Sequence, residues 1–291
     1  MMKKNFKLLV LPSVKNMQQV IDRFSFPIEL TKGKLKNIKI IFKKNKVTVT
    51  HNDIDLKKFS LVWLSSSWTS RDLAYAIQLY LDEKNVQSTH VEKGTSKLTD
   101  HMVFTLNNIP TPNTLFMDSS SLSKNLLQIR EVVGYPLVVK DIKGARGLNS
   151  VKVNSQKELL SKIKSFPKHR KYILQQYIAN DYDWGIMVAN GKVVSGEKSY
   201  HQVGEFRNHA VHGATEVFVE KAKIPENVKN IAIKSSQKLG LIWSRADIII
   251  NKNNGKAYLM EVNRLPGITD KTSEVEGAYK FLSSQIEAML D

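Results

Sequence analysis

The fold is decided by a segment near the end of the chain, residues 244–268, which reads SRADIIINKNNGKAYLMEVNRLPGI. Asp247 precedes three consecutive isoleucines, and residues 253–255, Asn-Asn-Gly, are typical of a turn. A second apolar run, Ala257 to Met260, follows that turn. Two short apolar runs on either side of turn residues predict a β-hairpin.

Three oxygen-bearing side chains fall on this hairpin. Alternation along the second strand places Glu261 and Asn263 on one face and Val262 on the other, beside Asp247 of the first strand. Mg²⁺ is usually held by one or two carboxylates and fills its remaining positions with water and substrate phosphates. The same spacing also fits a structural role, in which Asp247 caps a strand and Glu261 lies on a solvated face. Two interpretations therefore stay open: a metal site shared with a nucleotide, or ordinary strand polarity.

Composition places the chain among soluble proteins. It has 291 residues, of which 42% are hydrophobic and 24% charged, and this length allows two or three compact units. No apolar run reaches the length of about 18 residues that a membrane span needs, and the N-terminal apolar stretch is too short for a secretory signal. The absence of cysteine excludes disulfides, a thiolate nucleophile and a zinc-thiolate site. A cytoplasmic protein is expected.

The net charge of +17 predicts attraction to a polyanionic partner. Part of the excess lies around a predicted strand, Ile38–Phe42, and comes from Lys32, Lys34, Lys36, Lys39, Lys43, Lys44 and Lys46. Such a run fits an edge strand that lysines keep soluble, or a nucleic-acid surface. The first is favoured because arginines and aromatic residues, which read nucleic acid, are sparse in the run. An acidic peptide or protein is therefore preferred over nucleic acid as the partner.

Residues 1–94 predict a small α/β unit, in which a helix begins near Ser70. The predicted strands are Lys7–Leu11, Ile38–Phe42, Lys46–His51 and Ser60–Leu64. A serine-rich loop joins the last strand to the helix, in the place where α/β sheets bind ligands. Ser66, Trp68, Ser70 and Arg71 are therefore candidates for substrate contact. Helix capping by Ser70 is the preferred interpretation of this loop.

A second site is predicted where the strand Leu137–Val139 delivers Lys140 to a loop that contains Gly144 and Gly147. Glycine lets backbone N–H groups approach phosphate oxygens, and a lysine at the strand end adds a positive charge beside them. No Gly-Lys-Ser/Thr sequence opens a helix here, so the loop is not a Walker loop.

The order of these motifs resembles that of ATP-grasp ligases, and within that superfamily it is most similar to the RimK-type amino-acid ligases. The resemblance rests on Met260–Asn263 followed by Pro266-Gly267, and on the box GEFRNHAVHGA at residues 204–214. It covers about residues 96–270, whereas residues 1–94 match only in general α/β character. It implies an α/β (α+β) ATP-grasp fold, in which two lobes hold ATP between them behind a small N-terminal domain.

The resemblance also implies domain bounds and a site. The N-terminal domain is residues 1–94 and the ATP-grasp domain is 95–291, with a mobile small lobe at about 124–178 and a C-terminal lobe at about 179–291. Catalytic roles fall to Arg207 and Lys140. Nucleotide contacts fall to Lys97, Lys140, Gly144, Gly147, Gln176, Tyr177, Ile178, Asp183, Arg207, Asn208 and His209. Mg²⁺ or Mn²⁺ falls to Asp247, Glu261 and Asn263. The chain departs from the family at Gly185, where an arginine is usual, and at Asn149, where a glycine is frequent.

The implied activity is ATP-dependent formation of an amide from a carboxylate and an amine through an acyl phosphate. A guanidinium stabilises the charge on the transferring phosphoryl group, which favours Arg207 for that role. The substrates are an amino acid or other amine and the carboxylate of an acidic peptide, protein tail or small metabolite. Two alternatives stay open: a ligase that cross-links side chains within a peptide, and a non-catalytic basic protein that binds ATP or polyanions. The oligomeric state is left open.

Overall fold

The computed structural model describes residues 6–44, 46–90, 94–144, 150–167, 170–202 and 213–289. The helices are α1 (Met17–Ile21), α2 (Arg71–Glu83), α3 (Lys97–Leu106), α4 (Leu126–Val132), α5 (Gln156–Ile163), α6 (Glu226–Lys238) and α7 (Ser273–Glu287). The strands in the first third are β1 (Phe6–Leu11), β2 (Ile28–Lys32), β3 (Ile38–Lys43), β4 (Lys46–His51), β5 (Ile54–Asp55), β6 (Leu61–Leu64) and β7 (Gln87–Ser88). The later strands are β8 (Thr114–Phe116), β9 (Leu137–Asp141), β10 (Ser150–Val153), β11 (Tyr172–Gln176), β12 (Asp183–Ala189), β13 (Lys192–Tyr200), β14 (Thr215–Phe218), β15 (Trp243–Ile250) and β16 (Ala257–Asn263).

The strands form four sheets. A parallel sheet has the order β2-β1-β6-β7, and a small antiparallel sheet has the order β3-β4-β5. Two further antiparallel sheets follow in the chain: the lysine sheet, β10-β9-β11-β8, named for Lys140, and the carboxylate sheet, β14-β13-β12-β15-β16, named for Asp247 and Glu261. No helix among the described residues combines the length and apolar character needed to cross a membrane.

The predicted strands of the first unit are confirmed to within one residue at each end, and β3 lies at a sheet edge, as its lysines indicated. The sequence did not predict β2, β5, β7, β10, β12 or β14. Capping of α2 by Ser70 is wrong, because the Ser70 hydroxyl instead accepts the N–H of Ser67 at 2.9 Å. A 3₁₀ helix covers Ser119–Lys124, and the side chain of Asp118 caps it.

The carboxylate sheet buries different cores on its two faces. On one face, Trp184, Ile186 and Ile248 pack with α6. On the other face, the aromatic rings of Trp63 in β6, Trp243 in β15 and Phe281 in α7 meet at centroid distances of 5.1 to 5.4 Å. Such rings bury large apolar areas, so this contact fixes the first sheet against the end of the chain.

Candidate functional site

A row of side chains crosses the carboxylate sheet on one face. Directly paired residues on neighbouring strands share a face of a sheet. Asp247 in β15 pairs with Glu261 in β16 on one side and with Gly185 in β12 on the other, and Gly185 pairs with Glu197 in β13. The row Glu197, Gly185, Asp247 and Glu261 therefore brings three carboxylates to one strip of the sheet.

A β-bulge gives the hairpin its two distinct faces. Asp247 pairs with Glu261 but Ile248 pairs with Leu259, so Met260 is the extra residue on β16. Strict alternation would put Leu259 and Glu261 on the same face. The bulge instead lets Leu259 and Val262 both enter the core, at 0% and 1% exposure, while Glu261 stays on the site face.

The structure brings together the three residues assigned to a metal. Asp247 Oδ2 accepts a hydrogen bond from Asn263 Nδ2 at 2.8 Å, and Asp247 Oδ1 accepts one from Arg245 Nε at 3.1 Å. Glu261 is paired with the ammonium group of Lys97. Two carboxylates and one amide are hard oxygen donors of the kind Mg²⁺ takes. Within the described ranges, no group of three or more His, Asp or Glu side chains is arranged to hold a metal ion.

Burial and neighbouring charges act differently on the two carboxyl groups. Burial raises the pKa of Asp247 above its usual range, although Arg245 opposes the rise. Burial acts in the same direction on Glu261, but Lys97 and then Lys140 outweigh it and hold the pKa of Glu261 below its usual range. The carboxylate beside the lysines is thus the one held in its charged form.

Lys97 reaches this site because of the way α3 begins. Ser96 and Thr99 form a capping box at the N-terminus of α3, and the backbone N–H of Lys97 donates to the carbonyl oxygen of Ile142 at 2.9 Å. Asp100, one turn along, is buried in a two-bond pair with Arg264, which directly follows β16. The helix start is therefore fixed to both the lysine sheet and the carboxylate sheet.

Lys140 approaches the same carboxylates from β9 of the lysine sheet. Its ammonium group donates to Gln175 Oε1 at 2.7 Å, and Gln175 is 0% exposed. Burial and then the charge of Lys97 lower the pKa of Lys140 to about 8. The negative charges of Glu261, Asp183 and Asp247 oppose that lowering of the pKa of Lys140.

Gln175 was not anticipated from the sequence, which assigned the next three residues instead. Its amide nitrogen contacts His101 Nε2 at 3.1 Å and Thr114 Oγ1 at 3.0 Å, so it joins β8, α3 and Lys140. The one available signal was a glutamine directly after the apolar run Tyr172–Leu174 of β11. A buried amide at the end of such a run needs partners, and here they come from elements far away in the chain.

His101 makes the stability of the protein pH-dependent. Burial, and then Lys140 and Lys97, lower the pKa of His101 to about 4. Because the unfolded chain binds this proton near pH 6.5, the stability that neutral His101 contributes is complete above pH 6.5 and is lost as the pH falls toward about 4. Between pH 7 and pH 5 the expected loss is about 2 kcal/mol.

Urea unfolding of wild type and His101→Asn at pH 7 and pH 5 checks this expectation. The variant should lose about 2 kcal/mol less than wild type over that interval, because every other titrating group is common to both proteins. Equal losses in the two proteins would contradict the assignment to His101.

Three of the residues assigned to nucleotide contact, Gln176, Tyr177 and Ile178, lie where the lysine sheet leads into the carboxylate sheet. Gln176 ends β11, and its N–H donates to the carbonyl oxygen of Asn113 at 2.8 Å. Tyr177 lies under the Lys152 ammonium group, 3.8 Å from the ring centroid. Ile178 is buried, and Asp183 opens β12 and accepts from Asn180 at 2.6 Å.

Of the remaining assigned residues, only Gly144 lies within the described part of the chain. Gly144 is described, and its N–H donates to the carbonyl oxygen of Asp141 at 3.0 Å. Gly147, Arg207, Asn208 and His209 lie outside the described residues, as do Asn149 and His212.

Two candidates from the serine-rich loop lie beside Lys97. Trp68 and Arg71 are buried, and the Arg71 guanidinium stacks 3.5 Å from the Trp68 ring centroid. Lys97 and Arg264 lie 5.2 and 5.6 Å from the same ring. The loop that enters α2 therefore forms one wall of the site.

Comparison with known proteins defines the class. A model described as RimK-like ATP-grasp domain matches residues 94–284, and the chain belongs to this family. A probable alpha-L-glutamate ligase of Syntrophotalea carbinolica is 30% identical over 185 residues, which cover 62% of this chain and 59% of the relative. The chain thus spans about 59% of the length of that curated relative.

Solved structures give the fold. D-alanyl-alanine synthetase A from Vibrio cholerae matches with a TM-score of 0.69 at 15% identity, over 98% of each chain. The ATP-grasp ligase PsnB, complexed with minimal precursor, Mg and ADP, matches with a TM-score of 0.65 at 13% identity, over 98% of this chain and 99% of PsnB. The ATP-grasp fold, which binds ATP, and the RimK-like family are both confirmed as predicted from the sequence.

Proposed function

We propose that this protein is an ATP-dependent carboxylate–amine ligase that forms an amide through an acyl phosphate. The observation that carries the proposal is the convergence of Lys97 and Lys140, from two different elements, on the carboxylates Asp247 and Glu261. Cations beside carboxylates suit a polyphosphate that is bound together with a hard cation. Membership of the RimK-like family supports the same conclusion.

In this proposal, different residues bind the metal ion, the nucleotide and the transferring phosphoryl group. Asp247, Glu261 and the amide oxygen of Asn263 would hold Mg²⁺ or Mn²⁺, which when bound neutralises phosphate charge. Lys97 and Lys140 bind phosphate oxygens, with Gly144 and Gly147 in the covering loop, while Gln176, Tyr177, Ile178 and Asp183 line the rest of the nucleotide site. Arg207 is assigned to the transferring phosphoryl group, and Asn208 and His209 are assigned to nucleotide binding. Catalysis is then positioning and charge neutralisation, with no covalent enzyme intermediate.

The proposed reaction has two chemical steps. A carboxylate oxygen of the acceptor attacks the γ-phosphorus of ATP, and the bond to the β-phosphate oxygen breaks to release ADP. The amine nitrogen then attacks the acyl carbon, the carbon–oxygen bond to phosphate breaks, and the nitrogen loses its proton to solvent.

The domain arrangement is part of the proposal. Residues 1–94 form a domain that supplies the wall with Trp68 and Arg71, and residues 95–291 form the ATP-grasp unit. Within that unit, a small lobe of about 124–178 closes over the nucleotide against a C-terminal lobe of about 179–291.

The experiment that tests the function measures ADP release with a panel of amino acids, with and without acidic peptides, at millimolar Mg²⁺. ADP release that requires both a carboxylate and an amine supports the ligase. A side-chain cross-linking ligase would instead release ADP when a single peptide is the only substrate, and the mass of that peptide would fall by the mass of one water molecule. ATP binding without any acceptor-dependent turnover would favour the non-catalytic alternative.

Lys140→Met is expected to weaken ATP binding by about 1.5 to 3 kcal/mol, the range of a hydrogen bond to a charged group. In wild type the affinity should also fall as the pH rises past about 8, because Lys140 then loses its proton, and this fall should be absent in the variant. Calorimetric titration with ATP measures both effects.

Lys162→Met is the matched control, since Lys162 is an exposed residue of α5. It should bind ATP as wild type does. Wild-type affinity in Lys140→Met would remove Lys140 from the phosphate site.

The partner in the proposal is an acidic peptide or protein tail, drawn by the lysines around β3 and β4. All seven lysines of this run are exposed, and Phe42 beside them is 78% exposed. Lys43→Glu combined with Lys46→Glu should weaken binding of a glutamate-rich peptide about tenfold at low salt and flatten its salt dependence, because exposed charges are screened over about 8 Å at physiological ionic strength.

Lys234→Glu combined with Lys238→Glu, a pair of exposed lysines on α6, provides the control with the same change in net charge. Fluorescence anisotropy at several salt concentrations compares the proteins. Tight binding of random RNA that persists at high salt, with no effect of acidic peptides, would reverse the choice of partner.

A further inference from the structure

The side chain of Arg245 fills the space over Gly185, in the middle of the row formed by Glu197, Gly185, Asp247 and Glu261. A Cβ atom on Gly185 would lie 2.3 Å from Nη2 and 2.5 Å from Cζ of Arg245. Real Cβ atoms do not come this close to other heavy atoms, so Arg245 can take this conformation only because position 185 has no side chain. Arg245 starts on β15 and crosses over β12 at this gap to reach Glu197 on β13.

The guanidinium of Arg245 is held from two sides. Its Nε donates to Asp247 Oδ1 at 3.1 Å, and its Nη2 donates to Glu197 Oε1 at 2.5 Å. A guanidinium carries five N–H donors, so these two bonds leave other N–H groups that can donate to a ligand. The side chain is 23% exposed, whereas that of Glu197 is 1% exposed. A cation fixed in this way is already oriented for an oxyanion, which reduces the ordering cost of binding.

We propose that Arg245 supplies a substrate-binding guanidinium in the middle of the site, and that Gly185 is the gap that admits it. This inference rests on the proposed ligase function. Its ligand is an oxyanion, either the acceptor carboxylate or a nucleotide phosphate. Arg245 lies one strand away from Glu261 and shares a face with Asn263, its direct partner on β16. It also accounts for the glycine at position 185, where the family usually has an arginine, because Arg245 of the neighbouring strand places a guanidinium at that position instead.

The competing explanation is that Arg245 only neutralises the buried carboxylate of Glu197. The double variant Arg245→Met with Glu197→Gln separates the two, because it removes both charges while keeping side-chain length. If neutralisation were the whole role, this neutral pair would retain turnover and ligand affinity. A substrate-binding role predicts a folded protein, by its cooperative thermal transition, in which kcat/KM for the acceptor falls about 10- to 100-fold.

Moving the guanidinium to the other strand gives a rescue test. Arg245→Gly alone should lose activity, and Gly185→Arg alone should also lose activity because two side chains then compete for one space. Combined, Gly185→Arg and Arg245→Gly should recover at least about tenfold over Arg245→Gly, since the charge returns to the same place from β12. Arg245→Lys should recover less, because an ammonium group cannot reproduce the planar donor fork.

The readouts separate the two oxyanions. A raised KM for the acceptor with an unchanged Kd for Mg²⁺-ADP assigns Arg245 to the acceptor carboxylate, and a weakened Kd assigns it to the nucleotide. If the wild-type protein shows no ligase turnover, the proposed function fails, and the inference is then decided by calorimetric Kd values for Mg²⁺-ADP, inorganic phosphate and a glutamate-rich peptide. Unchanged values for all three in the Arg245→Met, Glu197→Gln pair, or unchanged kcat/KM in an active protein, overturn it.

Discussion

Glu261→Gln is expected to lower ADP release by about 100-fold or more at millimolar Mg²⁺. The substitution keeps the shape of the side chain but removes a negative charge that a hard cation needs. It also removes the ion-pair partner of Lys97, whose ammonium group would then face the phosphates without its fixed counter-charge. Steady-state ADP release across a range of Mg²⁺ concentrations measures the effect.

The control is Glu220→Gln. The side chain of Glu220 is 72% exposed, and among the described residues its one ion-pair partner is the surface residue Lys223. Its turnover should equal that of wild type. Unchanged ADP production by Glu261→Gln would remove Glu261 from the metal site.

Arg207→Ala is the second substitution with a large expected effect. In the proposal, Arg207 acts on the phosphoryl group as charge develops, so its loss should reduce kcat by about 1,000-fold while changing ATP affinity much less. Arg207→Lys should recover little of this, because a point charge does not reproduce the guanidinium fork. Single-turnover kinetics together with an ATP titration measure the two quantities separately.

Two results would contradict the assignment in different ways. ATP affinity that falls in step with turnover would place Arg207 in ground-state nucleotide binding. Full activity in Arg207→Ala would give the box at residues 204–214 a structural role alone.

Local pattern was enough to predict the hairpin that carries Asp247 and Glu261. Apolar runs and turn residues lie within one short segment, and the pairing they favour is the pairing observed. The bulge at Met260 was not predictable in the same way, because alternation cannot indicate which residue is looped out. That choice is made by the core, which accepts both Leu259 and Val262.

Contacts between distant elements set the limit of the sequence analysis. Arg245, Gly185 and Glu197 meet only when three strands are paired in a particular register, and β12 was not predicted as a strand. Gln175 and His101 are likewise joined across 74 positions of the chain. The one hint of the first cluster was the glycine at position 185, which differs from the family pattern without indicating where a replacement charge would come from.

The central claim, an acyl phosphate made from a carboxylate and ATP, is tested most directly by isotope transfer. An acceptor identified in the ADP-release panel is labelled with ¹⁸O in its carboxylate and incubated with ATP, Mg²⁺ and the amine, and the released phosphate is examined by ³¹P NMR. We predict that one ¹⁸O atom from the carboxylate appears in phosphate for each amide formed. Amide formation with unlabelled phosphate, or with release of AMP and pyrophosphate, would contradict it.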